Sequence, residues 1–209
     1  AMLHLTCEEF LTQLSTKQPV PGGGGASALC GALGVALGSM VCNLTRGKKK
    51  YAAVEEDILR ILKEGEELRL HLQNLVQADA DAFEPLSQAY GLPKNTPEEL
   101  AHRQEVMEKC LKDACQVPLR IMEACTKAIA LLEELAEKGS RIALSDVGVG
   151  AAFCRAALDG ASLNVYINTK LMQDRETAAQ WEEAADAMLK EWLPRADQVV
   201  EAVKGSIRK

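Results

Sequence analysis

The chain has 209 residues, 47% of them hydrophobic and 26% charged, which is enough apolar material for one substantial core and too much for a disordered segment. A formal net charge of −6 excludes a general nucleic-acid binder, which needs a broadly basic face, so any anion site has to be local. Seven cysteines, an odd number without a Cys-x-x-Cys pair and mostly inside apolar helical runs, read as small buried hydrophobes in a reducing cytoplasm rather than as disulfides or metal ligands.

No charged-then-apolar leader with a cleavage site opens the chain, which argues against secretion, and Ala1 before Met2 reads as a cloning remnant. Aromatic residues are only 4%, β-branched runs are short, and Ala, Leu, Glu and Lys dominate. That balance predicts an all-α protein, a single domain over residues 1–209, built as a bundle of about five or six long helices kinked at prolines around a buried glycine/alanine-rich helix.

Thr6 and Glu9 form a Thr-x-x-Glu capping box that announces the first helix, with Phe10, Leu11 and Leu14 on its inward face and its end before Pro19. The second helix begins around Gly24 to Ala26 and runs to about Thr45, apolar around its circumference except at Ser27, Ser39 and Asn43. Its length meets the usual threshold for crossing a bilayer, and Gly34 and Gly38 form a small-xxx-small pair. No second segment of this kind exists and the other helices are charged and amphipathic, so the expectation is a central bundle helix shared with a partner subunit and no membrane association.

From about Tyr51 to Gln88, Ile58, Leu59, Ile61, Leu62, Leu68, Leu72, Leu75 and Val76 recur at three and four, a long amphipathic helix that Pro85 kinks or begins to end. In "GLPKNTPEEL" Thr96 caps, Pro97 takes the first helical position and Glu99 completes another capping box. That helix runs towards Gly139 with a break expected near Pro118. After the loop "EKGSRIALSDVGVG", with Ser145 as the expected cap, a helix runs from Asp146 to about Met172. The last helix starts near Arg175, carries Trp181, Met188, Leu189 and Trp192 towards the core and bends at Pro194.

Several residues on this framework carry chemistry. Gly22, Gly23 and Gly24 precede a helix, so free amides and the positive end of the helix dipole can face an anion; a Walker lysine and a preceding strand are missing. Arg46, Lys48, Lys49 and Lys50 gather cations past a helix C-terminus, where they offset the dipole and also suit a polycarboxylate. Asp79 and Asp81 stand in the apolar "VQADADAFEPL", roughly two hundred degrees apart on a helix, so at most one faces the core. A carboxylate forced inward gains a raised pKa and can serve as a proton carrier near neutrality; an ordinary solvated aspartate is the competing reading.

Asp146 at a helix start is explained by capping alone, whereas Asn164 and Asn168 lie mid-helix on one face and need partners there. The three histidines, His4, His71 and His102, lack zinc spacing, and the serines lack a Gly-x-Ser-x-Gly context, so neither a metal nor acyl transfer is implied.

The segments "PVPGGGGASALCGALGVALGSMVCNLTRGKKKY", "DADAFEPL", "LPKNTPEE", "VPL", "SDVGVGAA" and "NVYIN" follow one another as they do in the cyclodeaminase family. Over nearly its whole length the chain resembles a stand-alone formiminotetrahydrofolate cyclodeaminase, a group also related to a bacterial methenyltetrahydrofolate cyclohydrolase. The resemblance implies an all-helical, dimer-forming fold. It also implies conversion of formiminotetrahydrofolate to methenyltetrahydrofolate with release of ammonia, a lyase step of histidine degradation and one-carbon metabolism in the cytoplasm. The folate, polyglutamylated or not, is substrate, and no further cofactor is implied. A separate formiminotransferase would supply it, because the sequence carries no transferase portion.

By position in the matching motifs, the resemblance makes Asp79, Asp81 and Asp146 the candidate catalytic carboxylates, Asp79 foremost. Gly22, Gly23, Gly24, Ser27, Asn164 and Asn168 become candidates for the pterin and formimino group, with Lys48 and Lys94 for the glutamate tail. Family members commonly read Pro-Gly-Gly-Gly-Ser; here Gly25 takes the serine place and Ser27 follows two residues later. The neighbouring hydrolase activity and a non-catalytic folate-binding dimer are the alternatives.

Overall fold

Residues 1–209 are described by a computed structural model. Six α-helices, with three short 3-10 turns and no strand, make up the molecule: α1 (Cys7–Leu14), α2 (Gly23–Thr45), α3 (Glu55–Ala89), α4 (Pro97–Lys138), α5 (Leu144–Thr169) and α6 (Arg175–Ile207). The all-helical bundle expected from composition is therefore the fold.

The capping residues act as their types dictate. Thr6 and Thr96 each accept the amide of the glutamate three residues on, and Glu9 and Glu99 return the bond to the threonine amides. α6 is capped by Asp174, which accepts from the Thr177 amide and pairs with Lys112 of α4 at 2.7 Å. That lysine and that cap hold the Asp174 carboxyl well below the usual aspartate range.

Where sequence and structure differ, packing is the reason. The break expected at Pro118 is absent: α4 is one helix of 42 residues, and Pro118 is buried inside it, flanked by Val117, Ile121 and Met122 in the core. A proline costs one backbone bond, and a helix with buried residues on both sides of it has more to lose by unwinding. α6 likewise passes through Pro194. Ser145 is not a cap; α5 starts at Leu144, two residues before the expected Asp146, after Ala143 and without side-chain capping, because a 3-10 turn over Arg141–Ala143 leads into it. Of the expected inward face of α1 only Phe10 is buried, and Leu11 is 63% exposed.

The core runs through α2, α3, α4 and α5, with Ala185, Ala196, Val199 and Val203 of α6 closing it. α2 is apolar and long enough to cross a bilayer by length and composition, yet more than half of its most apolar stretch is packed inside the bundle. α2 and α5 run antiparallel in close contact: Gly23 lies beside Asn164, Gly160 beside Ser27, and Gly34 against both Cys154 and Gly150. The opposite faces of both helices carry exposed apolar residues, Leu33 and Met40 on α2 and Val149, Phe153, Leu163 and Ile167 on α5.

At Gly34 a methyl group would lie 2.6 Å from Cys154 Sγ and 2.8 Å from the Gly150 carbonyl oxygen. Backbone cannot retreat as a flexible side chain can, so Gly34→Ala is expected to destabilise the fold by about 1–3 kcal/mol, read from the midpoint of urea unfolding.

Candidate functional site

The start of α2 lacks a cap of its own. Gly22 occupies the capping position and has no side chain, and the Gly23 and Gly24 amides have no protein acceptor. The third amide of the helix, that of Gly25, donates to Oδ2 of Asp79 at 2.9 Å, so a carboxylate from the middle of α3 does the work of the missing cap.

Two forces act on that carboxylate in opposite directions. Burial disfavours its charged form and the Gly25 amide favours it; burial wins, and the Asp79 carboxyl lies above the ordinary aspartate range. Gly24 is needed for the arrangement, since a methyl there would stand 2.6 Å from the Asp79 Cγ and closer still to Oδ1. Across the same helix start, Asn164 of α5 faces Gly23 and donates to the Gly160 carbonyl at 3.2 Å. Ser27 lies one turn further in, its hydroxyl donating to the Gly23 carbonyl at 2.7 Å.

The structure therefore brings Gly22, Gly23, Gly24, Ser27, Asp79 and Asn164 into one cluster, with Asn168 one turn, about 6 Å, further along α5. It sets the other candidates apart. Asp81 is exposed on another side of α3 and accepts from Gln77 Nε2 at 2.8 Å. Lys94 is exposed in the turn beyond α3, whose last residue Ala89 stands about 15 Å past Asp79.

Lys48 and Asp146 lie at the opposite end of the molecule. Lys48 follows the C-terminus of α2, about 35 Å from its start, and Asp146 opens α5, about 27 Å from Asn164. Within one chain neither joins the Asp79 cluster, a correction to the grouping expected from the motifs.

Gly160 was absent from the expected set, whereas Gly25 belonged to the glycine-rich entry Gly22 to Gly25. Gly160 leaves room for Ser27, a methyl there standing 2.8 Å from the hydroxyl, and a glycine inside a helix is the sequence signal that could have found such a close approach. An apolar recess between α2, α3 and α4, lined by Val35, Gly38, Ser39, Ile61 and Gly65, lies about 20 Å along α2 from Gly24 and shares no residue with the cluster. The cluster itself opens at the molecular surface, where Gly23 is exposed and Asn164 half-buried.

A carboxylate with a raised pKa, held against helix-start amides beside a carboxamide, marks the class: a helical bundle whose glycine-rich helix start is closed by a carboxylate rather than open as a nucleotide loop. The chain belongs to the formiminotransferase-cyclodeaminase family, whose model matches residues 6–187. It is 44% identical over 202 residues to a methenyltetrahydrofolate cyclohydrolase of Methylorubrum extorquens, with 97% of both chains covered. It is 35% identical to the mouse formimidoyltransferase-cyclodeaminase, covering 83% of this chain and 32% of that protein, so it spans about a third of the mouse relative. The solved structure of a formiminotetrahydrofolate cyclodeaminase from Thermotoga maritima superposes with a TM-score of 0.82 at 32% identity, covering 97% of this chain and 99% of that one.

Two stability measurements test the site. Gly24→Ala is expected to cost about 1–3 kcal/mol by driving the carboxylate away, and adding Asp79→Ala should return much of that loss, because the clashing group is gone. Independently, the raised pKa means the folded protein holds the Asp79 proton more tightly than the unfolded chain does. The ionised group therefore lowers stability above that pKa, and the penalty disappears as pH falls through it. Asp79→Asn keeps an acceptor for the Gly25 amide, and its thermal midpoint should exceed that of the parent at about pH 8 and converge with it towards about pH 4.

Proposed function

We propose that the protein is a methenyltetrahydrofolate cyclohydrolase, adding water across the one-carbon bridge of 5,10-methenyltetrahydrofolate to give the formyl form. The observation that carries the reading is the Asp79 carboxylate, half-buried with its pKa raised by desolvation and anchored beside uncapped amides. The end-to-end likeness to the Methylorubrum cyclohydrolase supports hydrolysis as the direction of use.

In this scheme Asp79, ionised, takes a proton from water as its oxygen bonds to the bridge carbon of the amidinium. The neutral tetrahedral adduct then collapses to the formyl group: the bond from that carbon to N5 breaks, the proton on Asp79 passes to the departing nitrogen, and the freed carboxylate takes the adduct's hydroxyl proton as the C=O forms and releases it to solvent. One carboxylate thus serves as base and then as acid, which requires a pKa nearer neutrality than that of free aspartate. The amides of Gly23 and Gly24 offer donors to the oxygen as charge develops on it, and Asn164 offers a donor–acceptor edge to the pterin.

A second reading, the cyclodeaminase, is favoured by the likeness to the Thermotoga enzyme. There N10 attacks the formimino carbon of 5-formiminotetrahydrofolate, and the amino group leaves as ammonia after Asp79 protonates it. The same carboxylate serves both reactions, so the substrate distinguishes them. The resemblance expected deamination first; the more similar full-length relative moves hydrolysis ahead of it.

Purified protein is expected to consume the methenyl absorbance faster than it forms it from the formimino compound, with no ammonia released in the first reaction. Asp79→Asn should lower kcat by about 10²–10⁴-fold while remaining folded, and Asp81→Asn should leave kcat near the parent value. The acid limb of the kcat/KM profile should fall above the ordinary aspartate range, following the raised Asp79 pKa. An Asp79→Asn variant with undiminished turnover on both substrates would overturn this assignment.

A further inference from the structure

Of the two buried glycines at the start of α2, space explains one. A Cβ at Gly24 would collide with the Asp79 carboxylate, whereas a Cβ at Gly25 would lie 3.6 Å from the Val76 carbonyl oxygen, 3.7 Å from Asp79 Oδ2 and 3.9 Å from Pro21 Cβ, all ordinary contacts. Nor does the backbone require glycine there, since only Gly47 has a positive φ. A glycine inside a helix is less stable than an alanine. What distinguishes position 25 is its partner: its amide is the donor that holds Asp79, at 2.9 Å.

That carboxylate has no charged neighbour on any element around it. α2 carries no Asp, Glu, Lys, Arg or His between Gly23 and Thr45. α4 runs parallel to α2, with Cys125 at Gly31 and Leu132 at Gly38, so equal counts bring the buried Val117 and Pro118 level with Gly24, and Arg120 beyond them is exposed. On α5 the side chain at this level is the neutral Asn164; Asp159 and Lys170 are exposed, and Tyr166 bonds Asp186 of α6. On α3, Asp81 lies with His4 on another side and Glu84 is exposed, as are Lys17 and Lys94 in the connections before α2 and after α3. Burial and the Gly25 amide are the two influences left on Asp79.

We propose that Gly25 is a positioning residue for Asp79: it presents an amide and no side chain, so the carboxylate has one donor and can both take up and return the proton that the reaction moves. This rests on the reading of Asp79 as the proton carrier. A hydroxyl at position 25 would upset the balance. A serine oxygen lies one bond beyond a Cβ that is 3.7 Å from Oδ2, which brings it within hydrogen-bond reach of the carboxylate. The Val76 carbonyl is the competing acceptor, and the charge on Asp79 favours the carboxylate. A second bond to the ionised form makes Asp79 a stronger acid and a weaker base.

Two variants separate the hydroxyl from the added bulk. Gly25→Ala brings the methyl alone; its thermal midpoint should equal or exceed that of the parent, and the acid limb of its kcat/KM profile for 5,10-methenyltetrahydrofolate should stay at the parent's pH. Gly25→Ser should move that limb down by about one pH unit, the effect of one added hydrogen bond to a charged group. Its kcat above the limb should fall about threefold, because a weaker base takes the proton from water more slowly. A serine limb at the parent's pH overturns the proposal. So does an equal displacement in both variants, which would make bulk rather than the donor the cause.

Stability reads the same balance without substrate. The advantage in thermal midpoint that Asp79→Asn has over its parent at about pH 8 should shrink when both proteins carry Gly25→Ser, and persist when both carry Gly25→Ala. A protein that turns over neither one-carbon substrate yet shows this shrinkage loses the proposed activity and keeps the role of Gly25. An advantage that serine leaves unchanged overturns that role, whichever reaction the protein catalyses.

Discussion

Everything at the site follows from one long-range interaction, the carboxylate of Asp79 taking the place of a missing helix cap. A run of glycines gives α2 a start with no side chain to satisfy its first amides, and the fold answers from 54 residues away. The carboxylate is thereby immobilised without a cation, which is why burial rather than an ion pair decides its pKa. A lysine in that position would have stabilised the charged form and lowered the pKa instead. The absence of any ion pair to Asp79 is thus part of its chemistry, and so is the glycine whose missing Cβ admits it.

The same economy of side chains sets the architecture. Glycines at 31, 34 and 150 let α2, α4 and α5 approach until thiols and backbone oxygens touch, and the resulting packing leaves α2 little freedom to move. A helix held this firmly is a suitable platform for a geometry defined by one hydrogen bond, since both ends of that bond lie on long helices rather than on loops. Further out, ion pairs such as Arg195 with Glu133 join α6 to α4 at the surface, where they contribute modestly.

How much of this was legible in the sequence depended on the range of the interaction. Capping boxes at Thr6 and Thr96 are local chemistry and could be read directly, as could the period of α3. Pro118 misled because its cost is local whereas the packing that overrides it comes from neighbouring helices. Leu11 misled because α1 is too short to bury a full stripe. Between Asp79 and Asp81 the sequence showed that only one could face inward, and the contact with Gly25 identifies which. Lys48 and Asp146 could not be placed at all, because motif order along a chain carries no information about which ends of antiparallel helices meet.

That last limit bears on function. A single chain holds Asp79 at one end of α2 and its densest cationic cluster at the other, and no motion of a tightly packed helix about 35 Å long brings them together. Whatever is held at Asp79 therefore meets the start of α2 and the face of Asn164, and none of the cations that follow the end of α2 in the same chain.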